Sequence, residues 1–122
     1  MSSFTSDLII TPMPDGRRWK LLRSFTYYVG KGHTNKVVVH RGFITDFASV
    51  PQPLWWLIPP WGKYGKAAIV HDYLYQHQTV SREDADRIFL EAMGVLKVKN
   101  WRKYPMYLAV RLFGWVAWKK EK

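Results

Sequence analysis

Four prolines within ten residues, Pro51, Pro53, Pro59 and Pro60, divide this chain into halves that read with different periods. Proline lacks a backbone N–H and fixes its own φ, so neither a helix nor a central strand runs through such a block. Before it, from Leu8 to about Asp46, the pattern is extended. Residues 19–29 (WKLLRSFTYYV) and 36–45 (KVVVHRGFIT) are rich in β-branched and aromatic side chains. The hexapeptide 30–35 (GKGHTN) between them is turn chemistry, which makes the two runs expected hairpin partners. Pro14-Asp15-Gly16 sets another turn ahead of the first run. The expectation for residues 1–47 is a small antiparallel β-sheet.

After the proline block the period becomes helical. From Gly62 to His77, the residues Tyr64, Ala67, Ala68, His71 and Tyr75 fall on one stripe. Ser81 suits the N-cap of a second helix, with Glu83 and Asp84 in the first turn, where the positive helix end favours acids. Ala85, Ile88, Phe89, Ala92, Met93 and Leu96 form its apolar face. A third helix is expected over 101–118, starting close to Pro105, because proline fits a first helical turn. Residues 54–58 (LWWLI), between prolines, read as a loop whose aromatic side chains plug the core. A chain of 122 residues makes one domain. The predicted class is therefore α+β: the sheet first, then a three-helix half over 62–120 containing an antiparallel helical hairpin.

Composition narrows the chemistry. There is no cysteine, which excludes a disulfide framework, a thiolate zinc site, an iron–sulfur cluster and a cysteine nucleophile. The net charge is +10, and from Lys97 onward Lys97, Lys99, Arg102, Lys103, Arg111, Lys119, Lys120 and Lys122 face Glu121 alone. Interleaved with Trp and Tyr, this segment suits an anionic membrane or lipid surface, an acidic partner protein or nucleic acid, or simply a solvated helix face. Nucleic acid is the weakest of these, since no known reading motif accompanies the charge. Residues 1–10 lack the basic start and apolar run of a signal peptide. The longest apolar stretch, 106–118, contains Arg111 and falls short of the roughly twenty residues a bilayer requires.

Four side chains carry potential chemistry: Asp46, His71, Asp72 and Asp86. Neighbours on a helix diverge by about 100°, so His71 and Asp72 serve separate subsites. If the first two helices fold back as a hairpin, Asp86 returns level with the His71 turn and faces one imidazole nitrogen. The other nitrogen is then a general base. The structural alternative is a core histidine satisfied by Asp86, with Asp72 an ion-pair mate of Lys63 or Lys66 and Asp46 a turn cap. A third reading makes Asp46, His71, Asp72 and Asp86 ligands of zinc, manganese or iron.

The segments 42–51 (GFITDFASVP), 67–75 (AAIVHDYLY) and 85–93 (ADRIFLEAM) resemble a family of small proteins of unknown function encoded mainly by tailed bacteriophages and prophages. The likeness runs from about residue 40 to Trp118. It implies a phage origin and brings no established activity; the role expected on that origin is a virion-associated (tail or baseplate) or assembly protein, with other phage structural proteins as partners and the host cytoplasm or the virion as location. More distantly, His71-Asp72-x-x-Tyr75 followed by a helix bearing Asp86 is similar to the core hairpin of the phospholipase A2 fold. That likeness implies His71 as general base, Asp86 and Tyr75 as its orienting partners, and calcium held by Asp72. Asp46 is a further expected metal ligand, from the metal-site reading of the four residues. The glycine-rich calcium loop of that fold has no clear counterpart here; residues 60–66 (PWGKYGK) come nearest. Two functional classes follow: a phage structural component, or a small calcium-dependent hydrolase acting on lipid or cell envelope. A hydrolase needs His71 bordering a cleft, whereas a scaffold leaves the ring buried and bonded.

Overall fold

The computed structural model describes residues 3–4, 9–16, 18–30, 35–45 and 65–120. The chain divides into two compact units, Met1–Asp46 and Phe47–Lys122. The first contains β1 (Ser3–Phe4), β2 (Ile10–Pro12), β3 (Trp19–Leu21), β4 (Phe25–Val29), β5 (Asn35–Val39) and β6 (Ile44–Thr45). The second contains α1 (Gly65–His77), α2 (Arg82–Val95), α3 (Asn100–Phe113) and α4 (Trp115–Lys120). The class is α+β, strands before helices.

The first unit holds two three-stranded antiparallel sheets, ordered β1-β4-β5 and β2-β3-β6, where the sequence pointed to one. Their registers show why. In the β4–β5 pair, Phe25 faces Val39; in the β3–β6 pair, Trp19 faces Thr45; the partners' numbers add to 64 in both. The β1–β4 and β2–β3 pairs likewise share a total of 31. The two sheets are thus two ends of one in-register meander, interrupted across its waist. At that waist Gly42 takes φ +96°, which side-chain-bearing residues avoid, and Phe43 N–H turns back to the His40 carbonyl at 3.1 Å. Arg41 N–H donates to Ser24 Oγ at 2.7 Å, replacing a ladder bond with a side-chain one. Pairing resumes where Leu21 N–H reaches Phe43 O at 2.8 Å. Tyr27, Val37 and Val39, two apart along their strands, are buried, as alternation requires.

In the second unit α1 is buried nearly all round, at Gly65, Ala67 through Asp72, Leu74 and Tyr75, a wider face than one stripe. The part of the expected helix before Gly65, with Tyr64, lies outside the described residues, as do the 54–58 loop and Lys63. Ser81 caps α2, its side chain accepting from Asp84 N–H. Of the expected α2 face, Ala85, Phe89, Ala92 and Met93 are buried, while Ile88 and Leu96 are partly so. α2 ends with Lys97 at φ +64°, and Val98 N–H bonds Met93 O at 3.0 Å, closing the helix with a left-handed residue.

The third helix departs from expectation at both ends. It begins at Asn100, and Pro105 sits inside it. The missing Pro105 N–H deprives the carbonyl one turn earlier, that of Trp101, but both residues are exposed, so water can satisfy that carbonyl. At the other end, Gly114 separates α3 from the short α4.

Candidate functional site

One carboxylate gathers the polar chemistry of the helical unit. α1 and α2 pack together, and the 15-residue offset between His71 and Asp86 brings His71 Nε2 to 2.6 Å from Asp86 Oδ1. Tyr75 lies one turn beyond His71 on the same face, and its hydroxyl donates to the same Oδ1, also at 2.6 Å. Arg111, from α3, donates to Oδ2 at 2.8 Å, and Arg82, one turn before Asp86, stands 3.5 Å from that oxygen. Arg82 also donates to the Val110 and Arg111 carbonyls at 3.0 and 3.2 Å, so a cation closes the C-terminal end of α3. Three helices therefore converge on Asp86.

Packing locks the imidazole further. Its ring centroid lies 4.2 Å from that of Tyr75 and 4.5 Å from that of Phe89. The edge of Trp118 meets Tyr75 at 5.1 Å, and Gln78 donates to the Trp118 carbonyl at 2.8 Å, seating α4 on α1. His71 and Asp86 are both 0% exposed. The hairpin thus meets the distance a general-base pair requires, while the ring is sealed as a structural histidine would be.

Two of the groups around Asp86, Tyr75 and Arg111, are held in their protonated forms. Burial lifts the Tyr75 hydroxyl well above its ordinary value of 10.0, and the bond to Asp86 and its negative charge lift it further, with Arg82 opposing. Tyr75 is therefore a donor to Asp86 at any physiological pH. Burial pulls Arg111 down, but the bond to Asp86 and its charge more than offset this and hold it above its ordinary range. Both groups keep the carboxylate supplied with donors.

The remaining proposed ligands separate from this cluster. Asp72 points to a different flank, 3% exposed, and accepts from Gln76 Nε2 at 2.9 Å. Asp46 lies outside the described residues, as does most of the 60–66 segment. Both oxygens of Asp86 are engaged, by His71, Tyr75 and Arg111, and the positive charge beside it is a guanidinium. Among the described residues no three His, Asp or Glu side chains gather as a metal site. Asp72 supplies the two oxygens of its carboxylate, one of them bonded to Gln76, where calcium takes six to eight.

Three residues enter that sequence reasoning passed over. Arg111 is the lone charge in an apolar stretch, a signal that its guanidinium has a buried mate. Arg82 precedes Asp86 by four, the spacing of a helical ion pair. Gly114 is the third: a methyl group there would collide with the Tyr75 hydroxyl and the Val110 carbonyl.

Comparison with known proteins agrees with an assignment by family and leaves the activity open. The chain is similar to the "Uncharacterized protein y4jT" of Sinorhizobium fredii (strain NBRC 101917 / NGR234), at 36% identity over 78 residues. That match covers 62% of this chain and 23% of the relative, so the chain spans less than a quarter of that protein's length. No solved structure matches it. A family described as "Protein of unknown function (DUF1353)" matches residues 19–110, a span from β3 through most of α3 that includes His71, Tyr75, Arg82 and Asp86, and the chain belongs to that family.

Proposed function

We propose that this protein is a virion-associated or assembly component of a tailed phage or prophage, in which the Asp86 cluster is a polar lock between helices. The observation that carries the reading is the burial of the pair: His71 and Asp86 are both 0% exposed, and Asp86 Oδ1 meets both His71 Nε2 and the Tyr75 hydroxyl at 2.6 Å. An imidazole held in this way aligns α1 with α2, and a buried carboxylate with all its donors in place fixes how the helices meet. The GFITDFASVP and HDYLY segments support a home in a tailed phage or prophage.

A second reading is favoured by the carboxylate facing Nε2 at 2.6 Å, the arrangement of a general-base pair. Here the protein is a small hydrolase acting on lipid or cell envelope, with His71 as general base, Asp86 and Tyr75 as its positioning residues and, from the likeness to phospholipase A2, calcium with Asp72 as a ligand. It requires water to reach a ring that the fold buries. One experiment separates the two. Fatty-acid release from phospholipid vesicles, with and without added calcium, is measured for the wild-type chain, His71→Gln and Tyr75→Phe, each checked by circular dichroism. The hydrolase reading expects release to vanish in His71→Gln and to fall roughly tenfold in Tyr75→Phe. The first reading expects a folded wild-type chain that releases nothing under either condition, and release that His71→Gln abolishes overturns it.

A further inference from the structure

α3 and α4 use their two sides differently. Met106, Ala109 and Val110 are buried, and Arg111 turns to Asp86. On the opposite side Trp101, Tyr104, Leu108, Leu112 and Trp115 recur three or four residues apart, which places them along one stripe. All five are between 49% and 65% exposed. Contiguous apolar exposure on this scale marks a surface that meets something else.

The surrounding charge says what that is. Between Glu91 and Glu121 the sequence has no acidic residue. Lys99, Arg102 and Lys103 stand at one end of the stripe and Lys119 at the other, while Arg111 is spent on Asp86. Arg102 stacks over Trp101 at 4.8 Å and Lys103 over Tyr104 at 5.4 Å, so cations and aromatics share one rim. A second copy would bring the same cations and a net charge of +10 to the contact, and would be repelled. The occupant is therefore anionic at its surface and apolar beneath. Leucines in the middle, tryptophans and a tyrosine towards the ends and cations beyond them match a helix lying in the headgroup layer.

We infer that the α3–α4 stripe docks this protein on an anionic bilayer surface, with Leu108 and Leu112 entering the acyl boundary and the flanking cations meeting lipid phosphates. No described helix is long and apolar enough to cross a membrane, so the protein lies on the bilayer by this face. The inference rests on the stripe and its charges alone and holds whether or not His71 is a catalyst.

The test uses the full chain with phosphatidylcholine vesicles, with and without phosphatidylglycerol, read by co-sedimentation and tryptophan emission. Binding to the anionic vesicles is expected to be at least about tenfold tighter, to weaken as salt rises and to shift emission to the blue. The double substitution Leu108→Ser and Leu112→Ser should weaken it about tenfold or more while leaving thermal stability unchanged, because both side chains are exposed. Lys99→Gln with Lys119→Gln should weaken it roughly fivefold or more. Several results overturn the inference: no binding to anionic vesicles, binding indifferent to the leucine pair, equal affinity for polyglutamate, or a dimer in sedimentation equilibrium that the leucine substitutions dissolve. Hydrolysis of a water-soluble ester is a separate readout, so loss of catalysis and loss of docking are distinguishable.

Discussion

The strand unit and the helical unit solve the problem of alignment in opposite ways. In the strand unit the backbone aligns itself. Every ladder bond joins one segment to another, so the pairing of Phe25 with Val39 also dictates that of Trp19 with Thr45, across an interruption. In the helical unit the backbone bonds run within each helix and say nothing about its neighbours. Side chains must do the aligning, and a single buried carboxylate receiving donors from α1 and α3 does so for three helices. The difference teaches where each unit is vulnerable: one in its backbone conformation, the other in its buried polar contacts.

The sharpest way to break this contrast is at Asp86. Asp86→Ala strands the buried His71 and Tyr75 and the half-buried Arg111 without their common acceptor, and is expected to cost about 3–5 kcal/mol. The urea midpoint of the helical signal checks it; a loss below about 1 kcal/mol would mean that the carboxylate does not align the helices.

Two glycines then test the contrast with one substitution. Gly114 has ordinary helical dihedrals, φ −63° and ψ −18°, so Gly114→Ala should cost about 1–3 kcal/mol through collision alone, and Tyr75→Phe should recover part of it. Gly42 has open space around it but φ +96°, so Gly42→Ala should cost about 1–2 kcal/mol through backbone conformation alone. No substitution of a neighbouring side chain should rescue it. Thermal melts of the single and double variants decide between the two causes.

The smallest effect is in the pH dependence of Tyr75→Phe, about 1 kcal/mol near neutrality. The Tyr75 hydroxyl is raised in the fold, so its contribution is fully present below its ordinary value of 10.0 and is lost as pH climbs through the raised value. Wild type and Tyr75→Phe should therefore converge in stability only in strong alkali. Convergence between pH 7 and 9 would show that the hydroxyl is not held protonated by burial and Asp86.

The residues themselves explain how much was legible beforehand. Ser81 followed by Glu83 and Asp84 announced the start of α2, because a cap is local chemistry between residues three apart. The His71–Asp86 approach was legible as a conditional: if two helices with a short link between them fold back, helix geometry brings those two turns level, and the structure places the groups 2.6 Å apart. Pro105 misled, since its tolerance inside α3 depends on exposure of that side of the helix. The division of the meander into two sheets had one local signal, Gly42 within the second run, but a lone glycine does not say whether a strand bends or breaks.

By itself, then, the amino-acid order determined the α+β class, the order of strands before helices and the absence of thiol chemistry, and it permitted the pairing of one imidazole with one carboxylate. These follow from period, composition and local spacing. Only the tertiary structure decided that Arg111 and Arg82 complete the Asp86 cluster, that Gly114 makes room for Tyr75, and that the leucines and tryptophans of α3–α4 face outward. Each of those depends on which side of one helix meets another, and a helix that satisfies its own backbone leaves that choice to packing.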